Sequence, residues 1–122
     1  MPKENIEIKA RCSDLELVKI ILDGKKKNKS KIHQIKILAS EKDLRLKLYR
    51  EIYFIGNIRF YLDKVRGLGN FIGIKTINFN GKIERKELLK QYNYYVDILG
   101  IKKEDVVTES YYDLFKKFVR TT

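Results

Sequence analysis

Between residues 32 and 79 the chain alternates apolar and polar side chains in short runs, "IHQIKIL", "LRLKLY", "REIYFIGNIRFYLD" and "NFIGIKTINF", punctuated by Gly56-Asn57, Gly67 and Gly69. A period of two is the mark of strands, and the β-branched and aromatic content of these runs agrees with it. Parallel strands need crossovers of roughly a dozen residues or more, and the gaps here are too short for that. Consecutive strands must therefore lie side by side and antiparallel. The tightest of the connections is Gly56-Asn57, which reads as the two-residue turn of a hairpin.

The flanks carry a different period. "NIEIKAR" (residues 5–11) is one more strand, followed by Ser13 and Glu16 in capping-box spacing and by Leu15, Leu17, Val18, Ile21 and Leu22 on a helical face that Gly24 ends. A second helix is expected over 84–99, with Leu88, Leu89, Tyr92, Tyr95, Val96 and Leu99 at helical spacing and Gly100 as its stop. Ser110 and Asp113 announce a last short helix with Leu114, Phe115 and Phe118 as its stripe. This order predicts one α+β domain over residues 1–122, an antiparallel sheet with helices covering one side.

With 43% hydrophobic residues, eight Tyr and six Phe, the chain is too apolar for a disordered segment. Its formal charge of +11 predicts attraction to polyanions. The densest basic block, "KKKNKSK" at 25–31, reads as a solvated loop. No run approaches the ~20 apolar residues of a membrane span, and "MPKENIEIK" lacks the apolar segment of a secretory signal, so a cytoplasmic protein is expected. Cys12, the one cysteine, has no disulfide partner and no zinc spacing, and His33 has no catalytic companion; both read as packing residues.

Parity sorts the faces. Ile6, Ile8 and Ala10 oppose Glu7, Lys9 and Arg11; Leu44, Leu46 and Leu48 oppose Arg45, Lys47 and Tyr49; Ile58, Phe60 and Leu62 oppose Arg59, Tyr61 and Asp63. One reading is an open sheet with its charged face in water. The other is a trough lined by cations and a few carboxylates, which suits a triphosphate and a divalent metal.

These segments resemble the CYTH superfamily, the triphosphate tunnel metalloenzymes, and the resemblance implies a sheet curled into a partial tunnel or barrel. "NIEIKA" is similar to its opening E-x-E-x-K strand with Asn5 in place of the first Glu, and "LRLKL" to its R-x-K strand. "REIYFIGNIRFYLDKVRGLGNF" resembles its late R-x-x-Y…G-L-G-x-F stretch, and "SYYDL" its closing helix. The resemblance implies phosphate contacts from Lys9, Arg11, Arg45, Lys47, Arg50 and Arg59, with Tyr61 packing on a base or ribose. It also implies Glu7, Lys9 and Asp63 as catalytic residues and Glu7 and Asp63 as ligands of Mg²⁺ or Mn²⁺, in metal-dependent triphosphate hydrolysis or nucleotide cyclisation.

Two departures shape the expectation. Gly73 and Lys75 stand where the family carries a further acidic pair, and a lysine there repels a metal. The strands between "LRLKL" and "REIYF" are missing, so Lys47 and Arg50 reach one face only through a turn or bulge near Tyr49. The expected protein thus binds a phosphorylated small molecule such as a nucleotide or organic triphosphate, to sequester or sense it, without efficient turnover. A homodimer would complete the shortened barrel. The alternative is a sequence-tolerant RNA- or DNA-binding module that uses the basic surface.

Overall fold

The computed structural model describes residues 5–25, 29–39 and 45–121, with side chains described over 5–25 and 47–118. Five strands form one antiparallel sheet: β1 (Ile6–Arg11), β2 (Lys29–Ala39), β3 (Arg45–Ile55), β4 (Ile58–Val65) and β5 (Gly69–Thr76). Their spatial order is β1-β5-β4-β3-β2. The sheet is open, because β1 and β2 are its two ends and do not pair. Helices α1 (Leu15–Gly24), α2 (Arg85–Ile98) and α3 (Tyr111–Thr121) complete the α+β domain, with a 3-10 turn at Lys103–Asp105. No helix among the described residues is long and apolar enough to cross a membrane.

Local chemistry accounts for the boundaries. β3 and β4 are joined by Gly56-Asn57, and the +58° φ of Gly56 is the left-handed conformation that a tight hairpin demands. The cap of α1 is Asp14 rather than Ser13: its carboxylate accepts the Leu17 N–H at 3.0 Å. α2 closes in a Schellman motif. Ile101 N–H donates to the Val96 carbonyl and Gly100 N–H to that of Asp97, with Gly100 at φ +67°. At α3, Ser110 Oγ accepts the Asp113 N–H at 3.0 Å. Of the basic block 25–31, residues 26–28 lie outside the described residues, and Lys29, Ser30 and Lys31 open β2 rather than belonging to a loop.

The main core lies on one face of the sheet, where Ala10, Phe60, Leu62, Ile72 and Ile74 meet Leu15, Val18 and Leu22 of α1 and Tyr95 of α2. Phe60 packs edge-on to Tyr95, ring centroids 4.9 Å apart. Cys12 is half-buried against this cluster, and burial pushes its thiol above the ordinary value. The same layer buries Glu51 at 4% exposure, where Lys19 of α1 reaches it at 2.9 Å and is itself held above the usual lysine range by that bond.

Two expectations are overturned by the register. β3 pairs with β4 without an inserted residue from Leu48↔Val65 to Ile55↔Ile58, and with β2 from Ala39↔Arg45 to Lys29↔Ile55, so there is no bulge at Tyr49. Lys47 and Arg50 consequently face opposite sides. The helices are not confined to one side either. Leu48, Val65 and Phe71, on the second face, pack under Tyr111 and Leu114 of α3 in a smaller core.

Candidate functional site

The second face holds a hollow of about 510 Å³, lined by Glu7, Lys9, Arg50, Tyr61, Asp63, Gly73, Lys75 and Tyr111, with 106–108 along its rim. Alternation on β1 and β4 puts these polar side chains opposite the main core. α3 and the segment before it close one side. Val107 N–H donates to the Lys9 carbonyl at 2.8 Å, Ala10 bridges Val106, and Lys9 Nζ donates to the Glu109 carbonyl at 2.5 Å.

Asp63 is the anchor of the floor, at 1% exposure. Arg50, its direct partner across the β3–β4 ladder, donates Nε to Oδ1 at 2.7 Å and Nη2 to Oδ2 at 2.8 Å. Tyr111 Oη donates to Oδ2 at 2.6 Å. The pairing with Asp63 raises the Arg50 guanidinium above its ordinary value, and burial, followed by the Asp63 charge, raises the Tyr111 phenol. Lys9 sits 4.4 Å from the Tyr111 ring centroid. Burial lowers its ammonium below the usual lysine range, with Asp63 opposing and Arg50 reinforcing that shift. Tyr61 carries the Arg50 guanidinium 4.8 Å from its ring centroid. It crosses Gly73, where an added Cβ would stand 3.3 Å from the ring. A larger residue there would press on the ring, which would have to shift by a few tenths of an ångström to make room.

The sheet thus gathers Glu7, Lys9, Arg50, Tyr61 and Asp63, and adds Lys75 and Tyr111. Arg11 and Arg59 share the face but stand outside the lining: Arg11 lies 5.2 Å from the Phe71 ring centroid and Arg59 5.5 Å from that of Phe54. Among the described residues Arg59 Nε is buried without a hydrogen-bond partner. Lys47 lies on the other face and lines a separate hollow. The side chain of Arg45 is outside the described residues, although its backbone belongs to β3. Tyr111 is 48 residues from Asp63, and no local pattern announces such a contact.

A divalent metal does not fit these donors. Among the described residues no three His, Cys, Asp or Glu side chains group together. Both Asp63 oxygens are already bonded, and Arg50 holds them as a fork. Glu7 lies two strands away and four residues further along the ladder, and its direct cross-strand partner is Lys75. That offset is roughly 13 Å along the strands alone, far beyond a shared ion.

No family model and no curated protein matches the chain. Solved structures do. A proposed adenylate cyclase from Vibrio parahaemolyticus superposes at TM-score 0.64 with 11% identity over 95% of this chain and 99% of that one. A conserved hypothetical protein from Pyrococcus furiosus gives TM-score 0.61 with 15% identity over 91% and 99%. A Pyrococcus horikoshii protein gives 0.61 with 18% identity over the same shares. At these identities the likeness is one of fold.

Proposed function

We propose that the protein is a CYTH-like domain that binds a phosphorylated small molecule, a nucleotide or other organic triphosphate, in the hollow over Asp63. The observation that carries this reading is the convergence of Lys9, Arg50 and Lys75 on one cavity of ligand size, beside an aromatic ring. Asp63 offsets Arg50, so Lys9 and Lys75 face Glu7 with one positive charge in excess. The Nη1 edge of Arg50 and the remaining N–H groups of Lys9 are the phosphate donors, and Tyr61 offers its edge to a base or ribose. Binding rather than turnover is the role that suits a carboxylate already committed to an arginine and a phenol. The fold shared with a proposed adenylate cyclase supports the same class of ligand.

Calorimetric titration with ATP, tripolyphosphate and AMP at fixed salt tests the reading. Triphosphates are expected to bind about tenfold more tightly than AMP, since two more charges near one excess cation are worth ~1 kcal/mol. Excess Mg²⁺ is expected to weaken ATP binding, because it neutralises the ligand without gaining protein ligands. Equal affinity for ATP and AMP would refute the proposal.

We further propose a homodimer paired through the outer edge of β2, which no strand among the described residues covers. Sedimentation at micromolar concentration should give twice the 14.5 kDa chain mass. A single monomeric species would refute it.

A further inference from the structure

Lys47, Lys64 and Arg66 meet at a second hollow of about 310 Å³, at the end of the sheet where β4 turns into β5. The backbone brings them together. Lys64 is the direct cross-strand partner of both Tyr49 and Asn70, and Arg66 N–H donates to the Lys47 carbonyl at 2.9 Å. All three cations are exposed, and none makes a side-chain hydrogen bond or ion pair among the described residues. Among those residues no carboxylate lines the hollow. The contrast with the first hollow is sharp, because there Glu7 and Asp63 offset two of three cations. Three like charges from three positions of the chain repel one another, and a bound anion removes that repulsion. Tyr49, half-buried in the same wall, adds a ring. An open basic concavity with an aromatic wall is the pattern by which single-stranded nucleic acid is held: cations follow its phosphates while a ring meets a base.

We infer that this hollow binds the phosphodiester backbone of a single-stranded nucleic acid, without sequence preference and independently of any ligand over Asp63. Fluorescence anisotropy of a labelled twelve-nucleotide oligo-dT, titrated with the full chain at several salt concentrations, tests it. Each phosphate contact on a single strand contributes about 0.7 to the slope of log affinity against log salt, so three cations contribute about 2. The triple variant Lys47→Gln, Lys64→Gln, Arg66→Gln should lose that part of the slope and at least tenfold in affinity at the lowest salt. A charge-matched control, Lys82→Gln, Lys86→Gln, Lys90→Gln, alters three exposed lysines elsewhere and should change little. Equal losses in both variants would assign the binding to overall charge and overturn the inference, as would no binding by the unaltered protein. Loss of oligonucleotide affinity in Lys75→Glu that matches or exceeds the loss in the triple variant would place the strand over Asp63 and overturn the inference too. Circular dichroism should report an unchanged fold for both variants, since every altered side chain is exposed.

Discussion

Replacing Asp63 by alanine is expected to destabilise the fold by ~3–5 kcal/mol, the cost typical of removing one partner from a buried ion pair. The side chain is 1% exposed and accepts three hydrogen bonds, two from Arg50 and one from Tyr111. Alanine leaves a guanidinium and a phenol facing each other at the bottom of the hollow with no acceptor between them. Domains of this size are commonly stable by only ~5–15 kcal/mol, so the loss is a large fraction of the whole. Urea unfolding at neutral pH reads it as a lowered midpoint. Asp63→Asn retains a carbonyl acceptor and should recover part of the loss. A midpoint shift worth less than ~1 kcal/mol for alanine would show that the Arg50–Asp63–Tyr111 cluster does not hold α3 to the sheet. This outcome bears on function as well, because a loss of ligand binding in Asp63→Ala reports a collapsed floor rather than a missing catalytic acid.

Changing Lys75 to glutamate is expected to lower triphosphate affinity about 100-fold while leaving stability nearly unchanged. Lys75 lines the hollow, is half-buried and makes no side-chain hydrogen bond or ion pair among the described residues, so the fold does not depend on it. The substitution turns the lining from one net positive charge to one net negative. At separations of ~7 Å in a watery cleft, two charges moved against a ligand carrying about four amount to ~2–3 kcal/mol after salt screening. Calorimetry with tripolyphosphate measures the loss, and Lys75→Met should lie between the two proteins. If Lys75→Glu instead bound more tightly in the presence of Mg²⁺, the new carboxylate would be acting with Glu7 on a metal, and the account of Lys75 as a fixed counter-charge would fail.

The sequence disclosed the elements better than the faces. Helical spacing, Gly56, Gly100 and Ser110 located turns and ends to within a residue or two, and alternation on β1 and β4 assigned Glu7, Lys9, Tyr61 and Asp63 correctly to one side. On β3 the same reasoning reversed. Leu48 is apolar and by parity reads as opposite the cationic face, but it belongs to the face of Arg50 and Asp63, where α3 covers it. Alternation identifies the side that avoids water, and here both sides of the sheet have such a patch. The sequence therefore could not say which apolar parity went with which layer. Lys47 was carried to the wrong face by that ambiguity. Lys75 was legible only as a departure from a resemblance, and Tyr111 only as a helix residue, because their roles depend on strand register and on a contact across 48 residues.

The placement of β1 has a consequence for how the chain is made. Its six residues leave the ribosome before β2, β3 and β4, yet the strand beside it is β5, and the stretch that crosses its outer side comes at 106–107. At translation rates of ~5–20 residues per second, β1 therefore waits several seconds for its neighbour while the β3–β4 hairpin can already form. A nascent chain halted before β5 emerges should display β1 as unprotected backbone, the segment a cellular holdase would seize first.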